Sequence, residues 1–466
     1  MEQKIKKSRI SGAKLRRQRD NNALSLEQLA EETEKRAAVE NKRGISAKTI
    51  WRIEHGTNAH PYTIARLADA LGVEPKDLLK DEGDTESPLA ENICDFEDFI
   101  EERTRDFAGR GFVFDAIDNF VENHESGYFF IYGDPGIGKS SVAARLVRER
   151  EYIHHFNIRA EGINRAETFL KNVCSQLIVD YELPYNSLPS DISTDGRFLN
   201  KLIGEASKKS GTKGQIVIII DALDEVDTYS LQTAGNILYL PPRLPAGVYI
   251  IATTRRMSLN LRIECNQGNL TIDHDSSQNL KDIKEYLKTK AGDEEIVAYI
   301  KKQKLKKSAF IESMIKKSQG NFMYLRYVLP EIEMGAYKDM KFEQLPVGLE
   351  NYYEDHWRRM GMMASPLPKE KIKIVYILSE VQQPVSRKML SDFSKEDELT
   401  IQSVVNEWAQ FLHKQETDGQ KCFSLYHDSF RNFLNRKDIV QAAGVTIEDI
   451  NGLIADNLWQ EFKGGD

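Results

Sequence analysis

Residues 133–142 read GDPGIGKSSV, and no other stretch narrows the folds open to this chain as far. Gly133, Asp134, Pro135, Gly136, Ile137, Gly138, Lys139 and Ser140 fit the pattern G-x-x-x-x-G-K-[ST]. That pattern has physical meaning only between a strand and a helix. Both are present, as the apolar run YFFIY at 128–132 and the helix-like SSVAARLVRER at 140–150. Glycines let the backbone N–H groups turn inward around phosphates at the start of a helix. Lys139 then reaches the β- and γ-phosphates, the Ser140 hydroxyl helps to hold Mg²⁺, and Ser141 follows in the first helical turn. A chance match lacks this setting.

A phosphate loop also needs a carboxylate at the end of a neighbouring strand. In IVIIIDALDEVD (216–227), five apolar residues run into Asp221, the expected Mg²⁺ residue, with Asp224 and Glu225 just beyond. Either of these two can orient an attacking water; the alternative is a buried strand closed by a turn aspartate. VYIIATTRR (248–256) sets Arg255 and Arg256 past another strand end, where a cation can sense a γ-phosphate. ATP or ADP with Mg²⁺ are therefore the expected cofactors, and NTP hydrolysis the expected chemistry. Short apolar runs, including YIHHFNI at 152–158, alternate with helical stretches such as 165–181. That alternation implies a largely parallel sheet covered on both faces.

At 466 residues the chain has room for two to four domains. No apolar run approaches a membrane span, and the N-terminus, rich in Lys and Arg, has no apolar core of a signal peptide. Cys94, Cys174, Cys265 and Cys422 are widely spaced, which fits a reducing cytoplasm and no zinc knuckle. The net charge of −8 is uneven, because residues 1–80 hold 17 Lys and Arg against 11 Asp and Glu. A basic front end on an acidic body points to a polyanionic partner; a solvated basic tail is the alternative.

Residues 8–80 read as all-helical. Ser25 with Gln28 forms a capping-box pattern, Ser46 opens a helix that Gly56 closes, and Pro61 opens another that ends at Gly72. GAKLRRQRD, SLEQLAEE, ISAKTIWRIEHG and TIARLADALGVEPKDLL resemble the successive helices of an XRE/Cro-type helix-turn-helix. The resemblance implies double-stranded DNA as partner, contacted by Ser46, Ala47, Lys48, Trp51 and Arg52 on the exposed side of the third helix. Lys48 is the base-edge candidate, while Arg52 and the arm Lys4, Lys6, Lys7 and Arg9 suit phosphates. Ile50, Ile53, Leu67 and Leu71 are expected in the core, with Glu54 tied to Arg16 or Arg17. TEKRAAVENKRGI (33–45) is about ten residues longer than the usual tight turn. A protein-interaction module is the alternative.

Further motifs occur in a definite order. IIIDALDEVD (218–227) is similar to the NACHT form of the carboxylate strand, and FAGRGFVFDAI (107–117) to the family's GR motif beside the adenine, with Gly109 and Arg110. SQGNFMYLRYVL (318–329) resembles a segment of the small helical domain, with Phe322 and Met323 where plant-type relatives place a proline. LYHDSFRNFL (425–434) resembles the winged-helix motif whose histidine, here His427, contacts the β-phosphate of ADP. Taken alone, His427 would more often be a structural histidine. Together these identify a resemblance, over about residues 100–437, to the STAND class of NACHT NTPases, relatives of the NOD-like receptors with bacterial members.

The expected fold class is multidomain α and α/β. It orders a helix-turn-helix domain (1–80), a linker (81–106), a P-loop NACHT domain with a parallel sheet (107–265), a small helical domain (266–345), a winged-helix domain (346–440) and a C-terminal helical segment (441–466). The resemblance implies a slow ATPase acting as a switch, locked by ADP through His427 and self-associating with ATP, with a sensor or signal partner still to be named. Coupled to the front end, this is a nucleotide-gated transcriptional regulator. The alternatives are a NOD-like, antiphage-type defence protein whose N-terminal domain binds a protein, and a motor with rapid turnover.

Overall fold

The computed structural model describes residues 10–39, 44–54, 59, 61–80, 88–193, 195–211, 214–228, 235–417 and 420–464. The basic arm, residues 40–43 of the insertion, Gly56 and residues 81–87 of the expected linker lie outside the described residues.

Helices Gly12–Asn21, Leu26–Val39, Ala47–Glu54 and Pro61–Leu71 build the N-terminal domain. Leu15, Leu29, Ile50, Ile53, Leu67 and Leu71 fill its centre. Ser25 and Gln28 cap each other's backbone N–H groups at 3.1 and 2.8 Å, so the second helix starts where the sequence predicts. The insertion lengthens that helix to Val39. Its far end is tied back by Thr33, whose hydroxyl accepts from the Ile45 N–H at 2.7 Å. Glu54 pairs with Arg16 at 3.4 Å and more closely with Arg19 at 2.6 Å, rather than with Arg17.

Five parallel strands follow: β1 (Gly127–Gly133), β2 (Ile153–Phe156), β3 (Ile216–Asp221), β4 (Val248–Thr254) and β5 (Gln267–Ile272), in the order β2-β3-β4-β1-β5. The four apolar runs become strands because helices cover both faces, leaving β3 and β4 buried throughout. Sequence reading misses β5, a polar, half-exposed edge strand paired to β1. Its pairing extends the sheet past the boundary expected at 265. The expected linker likewise holds a helix, Glu97–Thr104, which packs on the helix leaving the phosphate loop.

Beyond β5 the chain is helical, as expected, up to a small antiparallel sheet of β6 (Val385–Ser386), β7 (Leu412–Thr417) and β8 (Gln420–Leu425), ordered β6-β8-β7. One uninterrupted apolar core, from Ile283 to Ile450, runs through all of these elements. Helices Lys437–Ala443 and Ile447–Gly464 occupy the tail expected to be helical, with Ile450 buried. No described helix is long and apolar enough to cross a membrane.

Candidate functional site

β4 lies between β1 and β3, so the carboxyl ends of three strands converge, the usual place for a ligand in an open parallel sheet. The loop from β1 holds Gly136 at φ 79° and Gly138 at φ 100°, a left-handed run open to glycine. A Cβ on Gly136 would also strike the Asn321 side chain at 2.8 Å. Asn321 caps helix Phe322–Glu333 and donates to the Pro135 carbonyl at 3.2 Å, while the Met323 N–H donates to the Gly136 carbonyl at 3.2 Å. The segment after β5 thus grips the outside of the phosphate loop.

Helix Lys139–Arg150 leaves that loop with its first residues lining a cavity of about 410 Å³, a volume suited to a nucleotide-sized ligand. Pro135, Gly136, Gly138, Lys139, Ser140, Ser141 and Arg110 line it, joined by Asp224, Glu225, Arg255 and His427. Phe107, Tyr286, Phe322, Met323 and Pro330 supply apolar and aromatic surface. Pro330 lines this wall two turns beyond Phe322 and Met323, which also line it. Gly133, Asp134, Ile137, Gly109 and Asp221 shape the site without lining the cavity.

Gly109 works by size, since a Cβ there would overlap the Asp282 carboxylate. That carboxylate accepts from the Arg110 N–H at 2.8 Å. The Arg110 side chain reaches Asn279 at 2.9 Å and the Ile137 carbonyl, bracing the loop from behind, and burial brings its pKa down to about 10. Lys139 donates to the carbonyls of Gly133 at 2.7 Å and Asp134 at 3.2 Å; burial depresses it.

Asp221 is buried at the end of β3 and receives a hydrogen bond from Thr253, with Ser140 beside it. Burial raises its pKa against both neighbours. Hard oxygen donors on Ser140 and Asp221 suit Mg²⁺, which takes few protein ligands and shares the rest with phosphates and water. Among the described residues, no cluster of three or more His, Cys, Asp or Glu competes for a metal.

Arg255 links the end of β4 to the C-terminal helical region. It binds Asp224 at 2.7 Å and Asp428, next to His427, at 3.1 Å. Arg256 turns to the surface and pairs with Asp273. Burial, then the neighbouring Asp428, pushes Glu225 up to about 8, leaving it protonated at neutral pH. A proton held in the folded state and released by the unfolded chain above about 4.5 gives stability that is lost as pH rises through about 8. The melting temperature is therefore expected to fall progressively between about pH 5 and 8 and to level off above that. Glu225→Gln should flatten that part of the profile; an unchanged profile would refute the assignment.

The Nδ1 of His427 accepts from the Ser429 N–H at 3.1 Å. Burial, then Arg103 and Lys139, hold the imidazole well below its ordinary pKa and therefore neutral. A neutral ring whose Nδ1 accepts must carry its proton on Nε2. His427 thus offers the cavity a donor.

The third helix, Ala47–Glu54, corrects a sequence expectation. Ser46, Ala47, Lys48, Trp51 and Arg52 do not form a free surface, because they face the nucleotide-binding domain. Arg52 donates to Asp180 at 2.6 Å through Nε and again through Nη2, and Lys48 reaches the same carboxylate at 3.1 Å. Lys48 also donates to the Glu151 carbonyl at 2.6 Å. Ser46 and Thr49 donate to the Glu151 carboxylate, and Trp51 packs on the apolar cluster beneath the sheet. Ala47 lines a cleft with Asp180. Glu151 ends the helix that starts at Lys139, and Asp180 ends helix Ala166–Asp180. Cations are therefore seated at two helix C-termini, where backbone carbonyls favour them. Burial opposes the charge on Asp180, but Arg52 and Lys48 outweigh it and hold the carboxyl below its ordinary range.

Comparison with known proteins matches two stretches of the chain. Residues 12–80 match the model of a helix-turn-helix domain, and residues 106–251 that of an AAA ATPase domain. No curated protein matches the chain. Among solved structures, it is similar to a signal transduction ATPase with numerous domains and a tetratricopeptide repeat sensor from Pyrococcus horikoshii. That likeness has 17% identity and a TM-score of 0.36, covering 72% of this chain but 44% of the other, so the chain spans less than half its length. A RuvB mutant of Thermotoga maritima is similar at 14% identity and TM-score 0.29, covering 72% of this chain and 99% of that one. The RuvB Holliday junction branch migration motor of the same organism follows at 12% and 0.26, covering 75% and 98%. Motif, sheet order and model matches agree that one chain joins an N-terminal helix-turn-helix domain to an AAA ATPase domain.

Proposed function

We propose that the protein is a nucleotide-controlled DNA-binding regulator, in which an ATP/ADP switch of the STAND, NACHT-like type governs access to the third helix. The observation that carries this reading is the seat of that helix. Lys48, Ser46 and Thr49 are held by Glu151, at one end of the helix whose other end carries Lys139 and Ser140. The same side chains cannot hold Glu151 and Asp180 and also contact DNA. Docking and DNA binding are therefore alternatives, and a nucleotide need only shift the balance between them.

Arg255 and His427 supply the second half of the switch. His427 would donate to the β-phosphate of ADP, joining the winged-helix region to the phosphate loop. The Arg255–Asp428 pair reinforces that joint. Asp224 is occupied by Arg255 and Glu225 is protonated, so neither is free to orient water, which favours the slow hydrolysis of a switch. Mg²⁺ at Ser140 and Asp221 would neutralise phosphate charge. Exchange for ATP then recruits Arg255 to the γ-phosphate, frees Asp428, and opens surfaces for self-association.

His427→Ala is expected to speed ADP release by about tenfold or more, the usual value of a hydrogen bond to a charged acceptor. A fluorescent-ADP chase measures this, and an unchanged off-rate would remove the residue from the lock. The reading as a whole is tested by selecting duplexes from a random DNA pool with full-length protein, in ADP and in a slowly hydrolysed ATP analogue. A discrete motif whose enrichment depends on the nucleotide supports it. Recovery of no motif in either state would transfer the N-terminal domain to a protein partner, as in the defence-type alternative.

A further inference from the structure

Helix Glu97–Thr104 lies in a stretch expected to be linker, yet it sends Arg103 into the wall of the nucleotide cavity. The guanidinium stacks 4.4 Å from the Tyr426 ring centroid and 5.0 Å from that of Phe99. It donates to the Tyr426 hydroxyl at 2.8 Å and to the Tyr426 carbonyl at 3.3 Å. Nε is shut off from solvent and makes no hydrogen bond, an arrangement that costs free energy unless something else compensates it. Arg103 is thus a cation with unused donor capacity, sharing its cavity with Lys139, Ser140 and His427.

We infer that Arg103 selects the nucleotide state: the winged-helix Tyr426 holds its guanidinium in this arrangement, and the terminal phosphate of a nucleoside triphosphate competes for it. This rests on the proposed nucleotide switch and adds a residue to it. The chemistry favours exchange. Tyr426 offers a neutral hydroxyl and a neutral carbonyl, whereas a γ-phosphate offers charged oxygens that a planar guanidinium binds about twice as strongly. A diphosphate lacks that terminal group and leaves Arg103 with Tyr426. Tyr426 directly precedes His427 and Asp428, so losing Arg103 loosens the strand end that carries the rest of the lock. Arg326 lies over the same ring at 4.7 Å, anchored by Glu102 at 2.8 Å, so the ring keeps one of its two cation contacts when Arg103 leaves.

The test compares affinities of the full chain for fluorescent ADP and a slowly hydrolysed ATP analogue, with Mg²⁺, in wild type, Arg103→Gln, Tyr426→Phe and Lys139→Ala. Arg103→Gln should weaken the triphosphate by about tenfold while leaving ADP within about twofold. Tyr426→Phe keeps the ring but removes the competing hydroxyl, and should shift preference toward the triphosphate. Equal losses for both nucleotides in Arg103→Gln, or an unaltered preference in Tyr426→Phe, would overturn the inference. Lys139→Ala separates the two levels. Loss of both nucleotides there leaves the switch standing even if Arg103 fails, whereas retention of both removes the nucleotide site and the inference with it.

Discussion

Asp180→Ala is expected to tighten DNA binding of the ADP-loaded protein by about tenfold or more. Asp180 is the carboxylate that Arg52 and Lys48 share, and its side chain is only 2% exposed. Removing one member of a buried, hydrogen-bonded charge set weakens such a contact by about 2 kcal/mol, roughly thirtyfold. Apparent DNA affinity scales with the fraction of protein whose third helix is free, so the docking loss appears directly as a gain. The substitution leaves every side chain expected to touch DNA unaltered. Fluorescence anisotropy on a selected duplex measures the effect. Affinity equal to that of wild type would mean that docking does not restrain the helix, and the proposed gate would lose its physical basis.

Lys139→Ala is expected to strip the protein of nucleotide. The ammonium is the cation held by the phosphate loop itself, and removing it should weaken retention by roughly a hundredfold. Nucleotide released by heating the purified protein and quantified by chromatography gives the answer. Content matching wild type would sink the phosphate assignment, and with it any nucleotide dependence of DNA binding.

How much of this was legible in the sequence depends on the range of each interaction. The phosphate loop, the β3 carboxylates and the Ser25 cap are local patterns, and the structure puts each on the predicted element. β3 and β4 were legible because burial on both faces demands an unbroken apolar run. β5 was not, since an edge strand with one wet face reads QGNLTI and carries no such run. Arg255 and Asp428 are 173 positions apart, and Arg52 and Asp180 are 128 apart. Nothing near either partner signals the other. Periodicity assigned Ile50 and Ile53 to the core correctly, but it cannot tell a helix face open to water from one covered by another domain. That is why Lys48, Trp51 and Arg52 were expected to be free. Arg103 escaped for a related reason, being one arginine in a charged segment whose role depends on Tyr426, far along the chain.

The helix from Lys139 to Arg150 is a rod of 12 residues, about 18 Å long at 1.5 Å per residue. Pivoted at its phosphate end, a tilt of about 5° carries the other end through about 1.6 Å. A shift of that size directed along the 2.6 Å bond from Lys48 to the Glu151 carbonyl would carry it beyond hydrogen-bond range. In the proposed switch, this helix would be the lever between a bound triphosphate and the groove of the double helix. A shift smaller than a water molecule at Glu151 would then loosen the Ser46, Lys48 and Thr49 contacts and leave the third helix with its polar contacts to Asp180 alone.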